Sequence, residues 1–286
     1  MTTERAPLVS IVMPVFNAAG TIGEAMRSLV QQTYGHLEIL VVDDGSADES
    51  AAIAAAFADD RIVVIRQPHA GLVSALRAGY ARARGDYIAR LDADDVARPD
   101  RIATQVAYLD AHPHVGLLGS HARIVWPDGR EQVFEPPTAD QALRRYLLWD
   151  SPFIHSSVVF RRSAYETAGG YTPGPNEDYR LWVQIARSWS LAVIPEVLVA
   201  HRIRLTSHSR SVSRRDALRA RLAAQWEAAR FLGPWSRALP ALAATGLSLG
   251  LAAAGIDAGL GLRPSRRWPT VRSRHLHDVG PTRDDG

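Results

Sequence analysis

The 286-residue chain reads as an α/β protein built on a mostly parallel, doubly wound sheet. Two observations predict this class. Short apolar runs alternate with stretches of helical period through the first 110 residues, the pattern of consecutive βαβ units. Two of the runs end in Asp-rich turns, at Asp43-Asp44 and at Asp92-Ala93-Asp94-Asp95, and in such sheets ligands bind at the carboxyl ends of strands. The composition, 47% hydrophobic and 22% charged, is that of an ordinary globular protein with a sizeable core.

The elements follow in order. Val9–Val15 is a buried strand. Thr21 and Glu24 have the spacing of a capping box, and Ile22, Met26, Leu29 and Val30 continue at helical spacing. Glu38–Val42 is a second strand, closed by Asp43-Asp44-Gly45-Ser46. Ser46 and Glu49 repeat the capping-box spacing and open an alanine-rich helix running to about Phe57. Arg61–Ile65 is a third strand. Gly71–Arg84 reads as a helix that Gly79 weakens, and Tyr87–Leu91 is a fourth strand. Pro99-Asp100 opens a helix with Ile102, Val106 and Leu109 on one face.

The second half is less regular. Strands are expected at about Val115–Leu118, Arg123–Trp126 and Ser157–Phe160, and a helix over Glu177–Ser188. Gly169-Gly170 and Pro173-Gly174-Pro175 break the chain between them. Asp178 then sits at the start of a helix whose stripe of Leu181, Trp182 and Ile185 is buried. From about 210 the character changes to a basic stretch, followed by the charge-free segment Ala238–Ile256. That segment approaches a membrane span in length but is rich in Ala and Gly. Peripheral contact of 238–256 with an anionic membrane and a loosely packed helical appendage are the two expectations. Residues 211–262 form this appendage, and 263–286 are a polar tail expected to be disordered.

Composition excludes several chemistries. There is no cysteine, hence no disulfide, thiolate nucleophile or iron–sulfur cluster. All 33 basic residues are arginine, which excludes a Walker-type phosphate loop, a pyridoxal Schiff base and the protein-kinase ion pair. A net charge of +3 gives no support to a nucleic-acid partner. With no apolar leader before Leu8, no secretory signal is expected, and the expected location is the cytoplasm or the inner face of its membrane.

Three carboxylates within Asp92–Asp95 repel one another unless a cation lies between them. Hard cations such as Mg²⁺ and Mn²⁺ take one or two carboxylates together with the phosphate oxygens of a substrate. The cluster therefore points to a metal-diphosphate. Arg90, in the strand before it, is also placed to pair with those carboxylates.

Val9–Asn17, Val41–Ser46, Gly85–Asp95, Gly169-Gly170-Tyr171 and Glu177–Trp182, in that order and at these separations, resemble the family 2 glycosyltransferases of the GT-A fold. The resemblance covers residues 8–210. It implies a nucleotide-binding half over 8–118, an acceptor half over 119–210, and a nucleotide-diphosphate sugar as donor, a uridine nucleotide being the leading expectation. By the same resemblance Asp44 bonds the nucleotide base, with Asp43 in the same turn and Pro14 and Ala93 in the donor-binding set. Asp92, Asp94 and Asp95 hold the donor ribose, the diphosphate and a Mn²⁺ or Mg²⁺ ion, which touches Asp94 or Asp95. Asp178 is implied as general base of an inverting transfer to a glycan or lipid-linked acceptor. Arg202, Glu177 and Trp182 are candidate diphosphate or acceptor contacts.

Two positions depart from the family pattern. Arg77 stands where relatives often have Asn, and His201-Arg202-Ile203-Arg204 ends in Arg where many have His, which leaves the role of position 204 open. His155 and His201 read as structural. Three plainer readings stand beside the resemblance: Asp43–Ser46 as a turn and cap, Asp178 as a helix N-terminal acid stabilised by the dipole, and the whole chain as a non-catalytic binding or scaffold protein. A sugar-nucleotide pyrophosphorylase would carry a basic, Gly-rich loop after the first strand, where this chain has Phe16-Asn17-Ala18-Ala19-Gly20. No glycine fingerprint of a dehydrogenase follows a strand.

Overall fold

The computed structural model describes residues 6–204, 213–232 and 235–253. Four parallel strands, β1 (Val9–Val15), β2 (Leu37–Asp43), β3 (Ile62–Arg66) and β4 (Tyr87–Arg90), alternate with α1 (Ile22–Val30), α2 (Ser50–Ala55) and α3 (Leu72–Arg82). After the two-residue β5 (Val96–Ala97) come α4 (Arg101–Ala111), the long β6 (Val115–Val125) and β7 (Glu131–Phe134). They are followed by α5 (Asp140–Leu147), a 3-10 turn at His155–Ser157, β8 (Val159–Arg161), α6 (Arg162–Thr167), α7 (Glu177–Ile185) and β9 (Ser190–Arg202). The described strands form one sheet in the order β3-β2-β1-β4-β8-β6-β9-β5, with β7 paired to β6. β8 runs antiparallel between β4 and β6, whereas β9 lies parallel to β6.

The central strands are buried on both faces, which is why they read as continuous apolar runs. Ile11, Met13, Ile39, Val41 and Ala89 face α1 and α4, against Ile22, Met26, Leu29, Ile102, Val106 and Leu109. The alternate residues Val12, Leu40 and Ile88 face the other layer, with Leu76 of α3, Leu143 and Leu147 of α5, and Leu181 and Trp182 of α7. This period-two division settles the register of every central strand.

Several expectations are corrected. Neither capping box forms. Thr21 and Glu49 precede their helices without a side-chain cap, and the Thr21 hydroxyl donates to the Ala18 carbonyl. Ser46 is engaged elsewhere, its Oγ accepting from the Asn17 amide at 3.0 Å. Gly79 is a packing device rather than a weak point: a Cβ there would lie 2.5 Å from Val12 Cγ1 and 3.0 Å from Val42 Cγ2, so its absence lets α3 lie directly on β1 and β2. The two expected strands at 115–118 and 123–126 are the single strand β6, and α5 and β9 occupy sequence that carried no predicted element.

Beyond the sheet, α8 (Arg214–Leu232) packs on α5 and α7, and α9 (Trp235–Ala253) packs on α8. Ala224, Ala228, Ala229, Ala238 and Ala241 are buried there, which confirms a helical appendage. No described helix is long and apolar enough to cross a membrane. Residues 254–262 of the appendage and the tail 263–286 lie outside the described residues.

Candidate active site

Connectivity creates the site. The chain leaves β1 for β2 and β3 on one side and returns to β4 on the other, so the direction of winding reverses between β1 and β4. β1 stays paired with β2 as far as Val15 and Asp43, but its pairing with β4 ends at Val12 and Arg90. The strand ends separate there, at the kind of switch point where open sheets bind ligands. Asp43 and Asp44 stand on one side and Asp92–Asp95 on the other.

On the β2 side, Asn17 and the turn after Asp44 are tied reciprocally: the Asn17 amide donates to Ser46 Oγ, and Asn17 Oδ1 accepts from Ala47 N at 2.9 Å. The bond pattern helps hold Asn17 at φ 48°, a conformation Asn tolerates. Pro14 is buried inside β1. The Asp44 carboxylate is engaged by its own chain. Oδ1 accepts from Gln67 Nε2 at 2.6 Å and Ala70 N at 2.9 Å, and Oδ2 accepts from Gly71 N at 2.8 Å, with His69 Nδ1 at 2.9 Å. Asp43 Oδ1 accepts from Ser46 N at 3.2 Å. Beside this pair, Phe16 projects a half-exposed ring past the end of β1, and the His69 imidazole stacks on it with centroids 4.1 Å apart.

The Asp92–Asp95 turn divides its carboxylates into three kinds. Asp92 is held at both oxygens, by Arg90 Nη2 at 2.6 Å and by Ser156 Oγ at 3.1 Å. Burial opposes its charge, but Arg90 and then His155 hold it well below the usual carboxylate range. Ala93 is buried. Asp95 is 0% exposed, and its oxygens accept from His201 Nδ1 at 2.9 Å and from Arg202 N at 2.9 Å. Burial depresses the His201 imidazole, yet Asp95 outweighs it and the group rises to about 9, so an ion pair pins the end of β9 to the turn.

Asp94 is different. Its carboxyl keeps 21% of its surface and accepts no hydrogen bond among the described residues; Arg204 Nη1 lies 3.9 Å away. Burial and the charges of Asp92 and Asp95 push it up to about 6. A carboxylate with negative neighbours and no donor of its own fits a hard cation. Of the two candidate metal carboxylates, Asp94 is therefore the one with open oxygens. Among the described residues no group of three or more metal-ligating side chains is arranged to hold an ion.

The acceptor-side candidates lie at the start of α7. Asn176, at φ 57°, turns the chain into the helix so that Glu177 and Asp178 occupy its first turn. Asp178 Oδ1 accepts from Tyr179 N at 2.7 Å. Burial first, and the adjacent Glu177 charge second, raise the Asp178 carboxyl to about 7. Glu177 is also raised, by burial first and by the charge of Asp92, against which Arg90 acts.

Two other candidates are corrected or reassigned. Trp182 is fully buried against Phe153, His155 and Phe160, a place in the core rather than on a surface open to an acceptor. Arg202 donates to Glu24 Oε1 at 2.6 Å across to α1, and its guanidinium is only about one-third exposed. Ser156, His201 as the partner of Asp95, Phe16 and His69 were not singled out for these places. A lone Ser or His carries no periodic signal, whereas an aromatic immediately after a strand with no place in the core pattern was a signal available for Phe16.

The mixed sheet with helices on both faces and a switch-point acidic turn is the architecture of a GT-A nucleotide-sugar enzyme. Residues 10–169 match the model of the family described as "Glycosyl transferase family 2". The "Amylovoran biosynthesis glycosyltransferase AmsE" of Erwinia amylovora is 31% identical over 199 residues, spanning 67% of this chain and 75% of that protein. The "Putative glycosyltransferase EpsE" of Bacillus subtilis is 32% identical over 187 residues, spanning 62% and 66%. Among solved structures, S. aureus TarS residues 1–349 in complex with UDP-GlcNAc superposes with a TM-score of 0.69 at 20% identity, covering 85% of this chain and 72% of that one. The mannosyltransferase PcManGT of Pyrobaculum calidifontis, in complex with GDP-Man and Mn²⁺, gives 0.60 at 21% identity, covering 88% and 77%. The chain belongs to glycosyl transferase family 2 and is a glycosyltransferase.

Proposed function

We propose that the protein transfers a sugar from a nucleoside-diphosphate sugar to an acceptor hydroxyl, with inversion, in the assembly of a surface polysaccharide or lipid-linked glycan. The observation that carries this reading is the acidic turn after β4, where Asp92 and Asp95 are held by Arg90, Ser156 and His201 and Asp94 alone of the three keeps its oxygens open among the described residues. Asp178, raised to about 7 by burial and Glu177, supplies the candidate base. The names of the relatives, one of them in amylovoran biosynthesis, support the polysaccharide class, and structural neighbours carrying UDP-GlcNAc or GDP-Man support the donor class. In this reading residues 8–118 form the donor half, 119–210 the acceptor half, and 211–262 a helical appendage whose exposed Leu239 and Leu247 suit contact with a membrane carrying the acceptor.

Each residue has a part. Phe16 offers an aromatic face to the base and Asp43 an acceptor beside it, while Asp44, whose oxygens hold Gln67, Ala70, Gly71 and His69, would meet the base by exchanging one of those partners. Asp94 holds Mn²⁺ or Mg²⁺, with Asp92 and Asp95 held back by their own partners. When bound, the cation supplies charge neutralisation for the departing diphosphate. Arg204, 3.9 Å from Asp94, is placed to meet the same phosphates. Asp178 Oδ2 takes the proton of the acceptor hydroxyl as that oxygen attacks the anomeric carbon on the face opposite the diphosphate, while Oδ1 stays bonded to Tyr179 N.

The test is Asp178→Asn. General-base assistance contributes about 10²–10⁴-fold, so transfer falls by that factor while UDP affinity in Mn²⁺ stays within about twofold. A variant with wild-type turnover removes the base assignment, and a wild-type protein with no turnover across a panel of nucleotide sugars favours the scaffold reading.

A further inference from the structure

Of the four residues whose donors surround the Asp44 carboxylate, three are built into the fold. Ala70 N and Gly71 N belong to the turn that opens α3, where the Gly71 carbonyl accepts from Ala75 N at 3.1 Å. Gln67 is tied to β2 by its own amide, which donates to the Asp43 carbonyl at 3.0 Å, and its Nε2 also reaches Ser74 Oγ at 3.1 Å. His69 is the fourth. Its backbone is packed against Gly45, where a Cβ would lie 2.7 Å from His69 N. Its side chain is 57% exposed, so it can leave by rotating about its own bonds while the backbone stays in place.

The imidazole makes two contacts there. It stacks on the half-exposed Phe16 ring, with centroids 4.1 Å apart and planes 25° apart. Its Nδ1 lies 2.9 Å from Asp44 Oδ2 and 3.1 Å from the Asp44 carbonyl oxygen. Both of those oxygens are acceptors, so Nδ1 carries the hydrogen. A flat ring on Phe16 with a ring N–H aimed at Asp44 makes the same two contacts as a base with a ring N–H, such as uracil. A base cannot slide between the two rings, because that needs about 7 Å, two carbon contact distances.

We propose that His69 is an internal occupant of the base subsite, which the nucleotide displaces. The imidazole rotates off Phe16 and Asp44, and the base takes over the stacking face and the carboxylate oxygen. The inference rests on the reading above that Phe16, Asp43 and Asp44 receive the base. The exchange replaces one ring and one N–H by another, so Asp44 Oδ2 regains a donor when the base is in place. A diphosphate without a base makes neither contact and leaves His69 where it is. Affinity for a nucleotide is then lowered by the fraction of protein whose subsite is open. An exposed ion pair and a stacked aromatic pair each shift an equilibrium by a factor of about two to ten.

Full-length wild type and His69→Ala are compared by calorimetric titration with UDP and with inorganic diphosphate, both in Mn²⁺. His69→Ala binds UDP about three- to tenfold tighter and inorganic diphosphate as wild type does. In wild type, NMR in diamagnetic Mg²⁺ shows nuclear Overhauser contacts between the Phe16 and His69 rings. They vanish when UDP saturates the site and persist with inorganic diphosphate. Weaker UDP binding by His69→Ala means that the base stacks on the outer face of the imidazole, and it overturns the proposal. Unchanged UDP affinity, an equal gain for inorganic diphosphate, or ring contacts that survive UDP overturn it too. The NMR measurement decides on wild type alone if the variant does not fold. Wild type that neither binds UDP nor transfers sugar removes the donor reading and this inference with it. Wild type that binds UDP with His69 still stacked on Phe16 sinks this inference alone.

Discussion

At the residue scale, one acidic turn shows how environment assigns different tasks to identical side chains. Asp92 and Asp95 are each neutralised by a cation of the chain, Arg90 and His201, and only Asp94 faces its neighbours' charge without a donor. Asp178 carries the same logic to the acceptor side. Burial and Glu177 raise it from 3.8 to about 7, so below pH 7 the proposed base is protonated and idle. The kcat/KM of the wild type should therefore climb tenfold per pH unit below about 7 and level off above it. The same shift has a sign for stability. The folded state binds the extra proton between about pH 4 and pH 7, so this group's contribution to stability declines as pH rises through that window. Asp178→Asn removes the term. Thermal melts should show the variant more stable than wild type at pH 8, with the gap narrowing below pH 7 and closed near pH 4. A gap independent of pH would mean that the Asp178 carboxyl titrates as in the unfolded chain.

At the element scale, β9 connects the fold to the chemistry. Its last residues carry the His201 and Arg202 contacts to Asp95, so a strand of the distal sheet fixes the turn at the switch point. Asp95→Asn removes the carboxylate that holds the buried His201 in its charged form, and breaking a buried pair from one side costs about 3–5 kcal/mol. Urea titration should show that loss at pH 6, where His201 is charged. His201 is raised above its unfolded value of 6.5 to about 9, so the pair's stabilisation is full below pH 6.5 and lost as pH passes 9. The penalty of the variant should therefore shrink by pH 10. Gly79→Ala tests a different contact: a methyl 2.5 Å from Val12 Cγ1 overpacks the α3–β1 layer, at about 1–3 kcal/mol. β1, β2 and β4 were legible because both-face burial writes uninterrupted apolar runs, the partly buried β3 because its run is β-branched, and α4 because Ile102, Val106 and Leu109 recur at helical spacing. β9 was not legible, because Pro195-Glu196 interrupts its run where the pairing with β6 shifts register between Ile194 and Val197. The two capping boxes misled because the spacing of Ser46 and Glu49 says nothing about Asn17, a partner 29 residues away that claims the hydroxyl. In the site, the acidic positions were readable from sequence, whereas the division of labour among them depends on Ser156 and His201, which only folding brings near.

At the scale of the whole molecule, the acidic turn and the β2 turn lie at the ends of the parallel strands β1, β2 and β4, where β4 meets the mixed half of the sheet. A ligand that spans this junction couples donor binding to global stability. A nucleotide present at about 100 times its Kd adds about 2.7 kcal/mol to the folded state. For a chain of this size that corresponds to roughly 5–10 °C in midpoint. The proposed geometry makes the shift conditional on metal, because Asp92, Asp94 and Asp95 would repel a diphosphate in its absence, and burial and its neighbours hold Asp94 near 6 only while no cation is there. UDP with Mn²⁺ should give the full shift, UDP with a chelator little, and Mn²⁺ alone little. Asp94→Asn should melt at or above the wild-type temperature without ligand, since it relieves the repulsion, and should lose the metal-dependent part of the UDP shift. Asp95→Asn corrected for its own lower midpoint should retain more of that shift than Asp94→Asn, because its oxygens are already committed to His201 and Arg202. The reverse order would transfer the metal contact from Asp94 to Asp95, and equal UDP shifts with and without Mn²⁺ would show a donor site that holds diphosphate through Arg204 and its neighbours alone.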